Sequence, residues 1–128
     1  PFLIDGNSAD TLTLVEDFAQ TLSTNVTKAT DDERLKLHVA AVVVSNFTNH
    51  LYALAEDFCK KEQVDFGLLS PLIKETAERI QHFSPATVQT GPAVRNDIFT
   101  IDKHLRILSN HPQLKNIYIK LTESISKG

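Results

Sequence analysis

The sequence has little of what several protein classes require, and each shortage excludes a class. The single cysteine, Cys59, cannot form an internal disulfide, which favours a reducing, cytoplasmic location. Only four glycines occur, and they are scattered, so the chain contains no glycine-rich phosphate loop. The longest uninterrupted apolar run, residues 39–44, is far short of the ~20 residues of a membrane span, and we expect no membrane association.

Strong charge and metal-binding patterns are also lacking. The net charge of −3 gives no electrostatic reason to expect nucleic acid or anionic lipid as a partner. The five histidines include no His-x-x-x-His pair, so no metal site is predicted. With 41% hydrophobic and 23% charged residues, the 128 residues are typical of one globular domain with a modest core.

What the sequence does contain is helical periodicity from Thr30 onward. Thr30 and Glu33 have the spacing of a capping box, and neither proline nor glycine follows before Lys61. This pattern predicts one long helix over 30–61. One broad face of that helix is apolar and consists of Leu37, Ala40, Val43, Val44, Phe47, Leu51, Leu54, Ala55 and Phe58.

Three shorter helices are predicted after the long one. The first begins after Asp65 or Ser70, and the second after Asn96 or Asp97; the sequence leaves both choices open. The third begins after His111. The fold class is therefore predicted to be mainly α, a helical bundle around one long central helix. Because apolar residues cover more than half of the girth of that helix, we expect a second copy of the chain to cover part of it in a homodimer.

The first 29 residues have a different pattern. A short apolar run at 2–4, a helix over about 8–23 and a β-branched run at 24–27 predict strand–helix–strand, one crossover unit of a parallel sheet. Two strands do not make a stable sheet, so further strands are expected upstream of Pro1. Since the chain also begins without Met, we expect it to be a fragment, with a domain boundary after residue 29.

One set of polar residues on the long helix could carry chemistry. At about 100° per residue, Ser45 and Asn49 lie within roughly 20° of His38, and Asn46 lies about 80° away. An imidazole can give or take a proton near neutral pH, and an asparagine can orient a carbonyl. The alternative interpretation is a polar seam that is satisfied within the bundle or solvated.

A second set lies in the loop Thr90-Gly91-Pro92 and just after it. Gly91 allows a close approach of backbone to a ligand, and Pro92 stiffens the turn. Arg95 offers a planar fork for a carboxylate or a phosphate, and Asp97 could aim that fork. The alternative is an ordinary loop in which Arg95 pairs with Asp97 and Asp97 caps the next helix.

These two sets carry a family resemblance. The motifs HVAA at 38–41 and SNF at 45–47, with TGP at 90–92 leading to Arg95 and Asp97, resemble a bacterial family of NAD(P)-dependent oxidoreductases. That family has an N-terminal Rossmann domain and a helical C-terminal domain of unassigned function. The helical domain is similar to the dimerising C-terminal domains of 6-phosphogluconate dehydrogenase, ketopantoate reductase and pyrroline-5-carboxylate reductase. The resemblance covers essentially the whole chain.

The resemblance implies that residues 1–29 end a Rossmann domain and that 30–128 form a helical dimerisation and substrate-cleft domain. His38 and Asn46 are then candidate catalytic residues. The candidate residues for binding a small-molecule substrate are Ser45, Asn49, Thr90, Arg95 and Asp97. The implied cofactor is NADP or NAD, although its glycine fingerprint is absent from the chain, and the fragment alone should be inactive. The alternative function is a helical dimerisation or binding module without catalysis.

Overall fold

The computed structural model describes residues 30–128, and this part of the chain is mainly α-helical, as predicted. No strand occurs among these residues; the predicted strands at 2–4 and 24–27 and the helix over 8–23 lie outside them. The α-helices are α1 Asp31–Ala41, α2 Thr48–Lys61, α3 Ser70–Arg79, α4 Ile98–Ile107 and α5 Pro112–Lys127. Between residues 30 and 128, no helix has the length and hydropathy needed to cross a membrane.

The chain divides into two compact units between Ala53 and Leu54, a point that lies within α2. The first unit contains α1 among its described residues, and the second contains α3, α4 and α5. The domain boundary predicted after residue 29 lies at the edge of the described residues and stays a prediction.

Helix α1 begins at the predicted capping box. The backbone N–H of Glu33 donates to the Thr30 hydroxyl at 3.2 Å, and the Thr30 N–H donates to the Glu33 carboxylate at 3.4 Å. Acidic residues in the first turn, Asp31 and Asp32, add favourable charge at the positive end of the helix dipole. Local chemistry therefore determines where this helix starts.

A π-helical segment, Val42–Phe47, follows α1 directly and leads into α2. A hydroxyl in an α-helix typically bonds the carbonyl four residues earlier, as Thr76 does to Leu72 at 2.9 Å. The Thr48 hydroxyl instead donates, at a long 3.4 Å, to the carbonyl of Val43, five residues earlier. The backbone is helical throughout 31–61, but the prediction of one uninterrupted α-helix is wrong over these six residues.

Helix α2 ends in a Schellman motif. Gln63 adopts the left-handed conformation with φ 59°, and the Val64 N–H donates to the Cys59 carbonyl at 2.9 Å. The Gln63 N–H donates to the Lys60 carbonyl at 3.3 Å. Glycine is the usual residue at the left-handed position, because a side chain there is strained.

The structure places the two predicted caps of the next helix differently: Asp65 caps a preceding turn, and Ser70 is the first residue of the helix and not its cap. Asp65 accepts a hydrogen bond of 2.8 Å from the Gly67 N–H and caps a 3₁₀ turn, Phe66–Leu69. Helix α3 then begins at Ser70, with Pro71 in its first turn, where its missing N–H costs nothing.

The later helix starts agree with the sequence. Asp97 is the N-cap of α4, and Asn96 before it has φ 55°, a left-handed conformation that Asn tolerates. Helix α5 follows His111, with Pro112 at its first position.

The second unit is held together by a few buried residues and by two hydrogen bonds between distant side chains. Its buried apolar residues are Cys59, Ala93 and Leu108, and Cys59 is a free thiol, as expected. His111 is buried, with 8% of the residue exposed. Its imidazole Nε2 lies 2.6 Å from the Glu62 carboxylate, and this contact links the end of α2 to the start of α5. The other hydrogen bond, between His104 in α4 and the Tyr118 hydroxyl in α5, joins these two helices.

The predicted apolar face of the long helix stays largely uncovered in the first unit. Five of its large side chains are exposed, namely Leu37 at 37%, Val43 at 50%, Val44 at 69%, Phe47 at 56% and Leu51 at 36%. Ala41, at 6% exposed, is the buried apolar residue of this part of the helix. The apolar surface is therefore present, but the described chain leaves most of it accessible.

Candidate functional site

The predicted catalytic residues lie around the π-helical segment. His38 is exposed in the last turn of α1, and Asn46 is half-buried within the segment. Ser45 precedes Asn46 in the segment, and Asn49 lies in the first turn of α2; both are exposed. No hydrogen bond joins any two of these four side chains, all of which lie in the described part of the first unit. The segment itself is notable because π-helical turns are rare and occur frequently at functional sites.

The predicted loop set lies in the second unit. Thr90 and Gly91 precede a turn in which the Asp97 N–H donates to the Pro92 carbonyl at 2.9 Å. Gly91 has φ 100°, a left-handed conformation that favours glycine, and a Cβ there would meet nothing within 4 Å. The glycine therefore serves the shape of the turn, and the space beside it is open.

Asp97 makes its shortest contacts with the helix that it caps. Its carboxylate accepts from the Thr100 hydroxyl at 2.7 Å and from the Thr100 N–H at 3.1 Å. These hydrogen bonds, helped by the nearby Arg95 guanidinium, hold the pKa of the Asp97 carboxyl below its ordinary value. Asp97 is therefore ionised at neutral pH and is mainly a capping residue.

Arg95 is held loosely. Its guanidinium Nη2 lies 3.6 Å from the Asp97 carboxylate, and its side chain is 60% exposed. An exposed pair of this kind contributes little to stability and leaves most guanidinium N–H groups open to another acceptor. This geometry combines the two interpretations of the sequence, because Arg95 contacts Asp97 and can still bind an anion.

The sequence did not indicate a cavity of about 260 Å³ in the second unit. Its walls are mostly apolar, and one carries a hydrogen bond of 2.8 Å between His104 Nδ1 and the Tyr118 hydroxyl. Burial raises the pKa of the Tyr118 hydroxyl. The other cavity walls are formed by Phe58, Ile107, Leu108 and Leu114. No sequence signal joins residues 14 positions apart in two separate helices, so only the structure could reveal this pair.

Among residues 30–128, no group of three or more His, Cys, Asp or Glu side chains is arranged to hold a metal ion.

The architecture of residues 30–128 is mainly α-helical. The sequence matches the family described as "Domain of unknown function (DUF2520)" over residues 1–125. The chain therefore belongs to the DUF2520 family, which agrees with the family resemblance of its motifs.

A solved structure extends this comparison. The chain is similar to the crystal structure of a "putative NADP oxidoreductase" from Bacteroides fragilis, with 44% sequence identity and a TM-score of 0.75. The similarity covers 78% of this chain and 39% of that one, so the chain spans about two-fifths of the length of its solved relative. No curated protein matches the sequence.

Proposed function

We propose that this chain is the helical C-terminal domain of an NAD(P)-dependent oxidoreductase and lines the substrate cleft of that enzyme. The observation that carries the proposal is the 44% identity to a protein described as a "putative NADP oxidoreductase". The 39% coverage of that protein is what one domain of a longer chain would give. The remaining length would include the Rossmann domain, for which the glycine fingerprint is the signature.

In this proposal the cofactor, NADP or NAD, supplies hydride transfer, and the helical domain supplies position and charge. His38 gives or takes the proton that accompanies hydride transfer, and Asn46 orients the reacting carbonyl. Ser45 and Asn49 bind the substrate beside them. Exposure of all but Asn46 leaves these side chains accessible to a ligand.

The loop residues Thr90 and Arg95 bind an anionic part of the substrate or cofactor, and Asp97 aims the Arg95 guanidinium at it. The supporting observation is the loose contact of Arg95 with Asp97. A pair 3.6 Å apart leaves guanidinium N–H groups free to donate to a second partner. Asp97 fixes the turn by capping α4, and Thr90 lies beside the open space at Gly91.

The proposal is tested on the protein that contains this chain together with its upstream region. That region should encode a βαβ unit with Gly-x-Gly-x-x-Gly, and the protein should bind NADPH or NADH. His38→Ala should then lower turnover with a substrate about 10²-fold or more while the fold is unchanged. The matched control is His82→Ala, because His82 is an exposed histidine outside both sets.

Two results would contradict this function. An upstream region without the fingerprint, in a protein that binds neither nucleotide, would remove the oxidoreductase assignment. Unaltered turnover in His38→Ala would remove only His38 from the mechanism.

The second candidate function is a helical dimerisation or binding module without catalysis. The observation that favours it is the exposure of large apolar side chains such as Val44 and Phe47. A protein that self-associates but binds no nicotinamide nucleotide would support this candidate over the first.

A further inference from the structure

The π-helical segment changes which side chains share a face with His38. A π-helix closes i→i+5 hydrogen bonds, whereas an α-helix closes i→i+4 bonds, so a π-turn contains one extra residue. One residue corresponds to about 100° of rotation in an α-helix. Residues after Val42–Phe47 are therefore displaced around the axis by about 100°, relative to their positions in an uninterrupted α-helix.

This displacement exchanges the neighbours of His38. Asn49 would lie about 20° from His38 in an uninterrupted α-helix, and the π-turn moves it to about 80°. Asn46, the fifth of the six residues of the segment, has already gained most of this rotation, which brings it from about 80° to about 20° from His38. His50 moves from about 120° to about 20°. The side chains that follow His38 along one face are thus Asn46 and His50.

Two further observations agree with this register. The Thr48 hydroxyl bonds a carbonyl five residues earlier, which is the spacing that a π-turn produces. Asn46 is half-buried like Val42, whereas Ser45 and Asn49 are both exposed. Asn46 therefore differs in burial from Ser45 and Asn49, and the two ends of the row, His38 and His50, are exposed.

We propose that His38, Asn46 and His50 form one row that faces the nicotinamide cofactor, and that His50 is a cofactor-binding residue. This inference rests on the proposed function. Imidazole and carboxamide groups can both donate hydrogen bonds, and an imidazolium can pair with a phosphate. These are the groups that the amide, hydroxyl and phosphate oxygens of a dinucleotide require.

The spacing of the row favours an extended ligand over a compact one. At 1.5 Å per residue, Asn46 lies up to about 12 Å along the axis from His38, and His50 lies about 6 Å further. No compact substrate reaches all three side chains at hydrogen-bond distance. A dinucleotide carries its acceptors along its length, so His38 would contact the nicotinamide end and His50 a more distant oxygen.

The test measures the dissociation constant of NADPH by fluorescence titration of the protein with its upstream region. Asn46→Ala and His50→Ala should each weaken binding by about tenfold, because a hydrogen bond to a charged group is worth roughly that factor. The matched control is His82→Ala, an exposed histidine outside both sets, and it should change the dissociation constant less than about twofold. Ser45→Ala and Asn49→Ala are measured beside these variants, because both residues would share a face with His38 in an uninterrupted α-helix. Unchanged helical circular dichroism shows that each variant is folded.

A second measurement separates contact from a change in fold. In ¹⁵N-labelled protein, saturation with NADPH should shift the side-chain amide of Asn46 and the imidazole of His50, and should leave the amide of Asn49 in place. Alanine variants assign these signals.

The outcomes distinguish this inference from the function on which it rests. Weaker binding in Ser45→Ala and Asn49→Ala instead would show an α-helical register and overturn the row, with the oxidoreductase proposal intact. Normal NADPH binding in all four variants would also overturn the row alone. A protein that binds neither NADPH nor NADH would end both proposals.

Discussion

The contact between His111 and Glu62 is expected to contribute to the stability of the second unit. His111 is buried, bonds the Glu62 carboxylate at 2.6 Å and packs edge-on against Phe58 at a centroid distance of 4.8 Å. Removing the imidazole would leave both a void and a carboxylate without its partner. The pair also joins chain segments 49 residues apart, so its loss would loosen the end of α2 from the start of α5.

We therefore expect His111→Ala to lower the free energy of unfolding by about 2–4 kcal/mol. Urea titration followed by circular dichroism measures this change. His82→Ala, at an exposed position, is the control and should change stability by less than about 0.5 kcal/mol. Equal stability of the two variants would show that the pair contributes nothing.

Asp97 gives stability a dependence on pH. The hydrogen bonds from Thr100 lower the pKa of its carboxyl in the folded state below the ordinary value of 3.8. The stabilisation from the charged form is therefore complete above pH 3.8 and is lost as the pH falls through the lower pKa of the folded state. Asn is a good N-cap without a charge, so Asp97→Asn removes this dependence and little else.

The prediction is that wild type and Asp97→Asn differ most in stability near neutral pH and converge below pH 3.8. Unfolding curves recorded at a series of pH values from neutral to acid measure this difference. Asp102→Asn, which changes an exposed carboxylate in the same helix, is the control for general charge effects. A difference that grows on acidification would contradict the lowered pKa.

At the scale of elements, the left-handed residue at the end of α2 is a point of strain. Gln63 occupies the position of the Schellman motif where glycine has no steric cost. We expect Gln63→Gly to raise the free energy of unfolding by about 0.5–1 kcal/mol, because relief of strain exceeds the added entropy of the unfolded chain.

Gln113→Gly is the matched control, since Gln113 lies in the first turn of α5. There glycine has no strain to relieve and should lower stability by up to about 1 kcal/mol. Thermal unfolding of both variants tests the opposite signs. A loss of stability in Gln63→Gly would show that the left-handed residue is not strained.

Helix starts were predictable because their signals are local. The capping box at Thr30, the cap at Asp97 and the proline after His111 all act within three or four residues, and the structure confirms each. Helix ends were harder, since α3 stops at Arg79 although neither proline nor glycine follows before Pro85.

The π-helical segment shows what periodicity cannot resolve. The apolar residues of Val42–Phe47 suit either an i→i+4 or an i→i+5 helix, because both keep the backbone hydrogen-bonded. The sequence therefore allowed the candidate residues to be chosen by chemical type. It did not predict which of their side chains share a face of the helix. The pairs His111–Glu62 and His104–Tyr118 were equally out of reach, since their partners are far apart in sequence.

At the scale of the whole molecule, the exposed apolar surface is the feature to explain. Val44 and Phe47 are 69% and 56% exposed on a helix whose apolar face was expected to lie in a core or a dimer interface. Homodimerisation stays a proposal, and the family resemblance to dimerising domains supports it. A second copy would cover these side chains without any change to the fold.

We expect sedimentation of the protein at micromolar concentration to show a dimer, and Val44→Asp or Phe47→Asp to shift it toward monomer. A charge placed in an apolar interface is costly to desolvate, whereas Ser45→Asp, at a neighbouring exposed polar position, should have a smaller effect. A wild-type monomer at all concentrations would rule out the dimer.

The lone thiol has a practical consequence. Because Cys59 is 7% exposed and no second cysteine competes with it, a thiol reagent can label the folded chain only when this part of the second unit opens. The rate of alkylation under native conditions then reports the opening equilibrium when reclosing is faster than the reagent, and the opening rate when the reagent is faster. Cys59 is thus an intrinsic probe of local unfolding, and no dye or engineered cysteine has to be added.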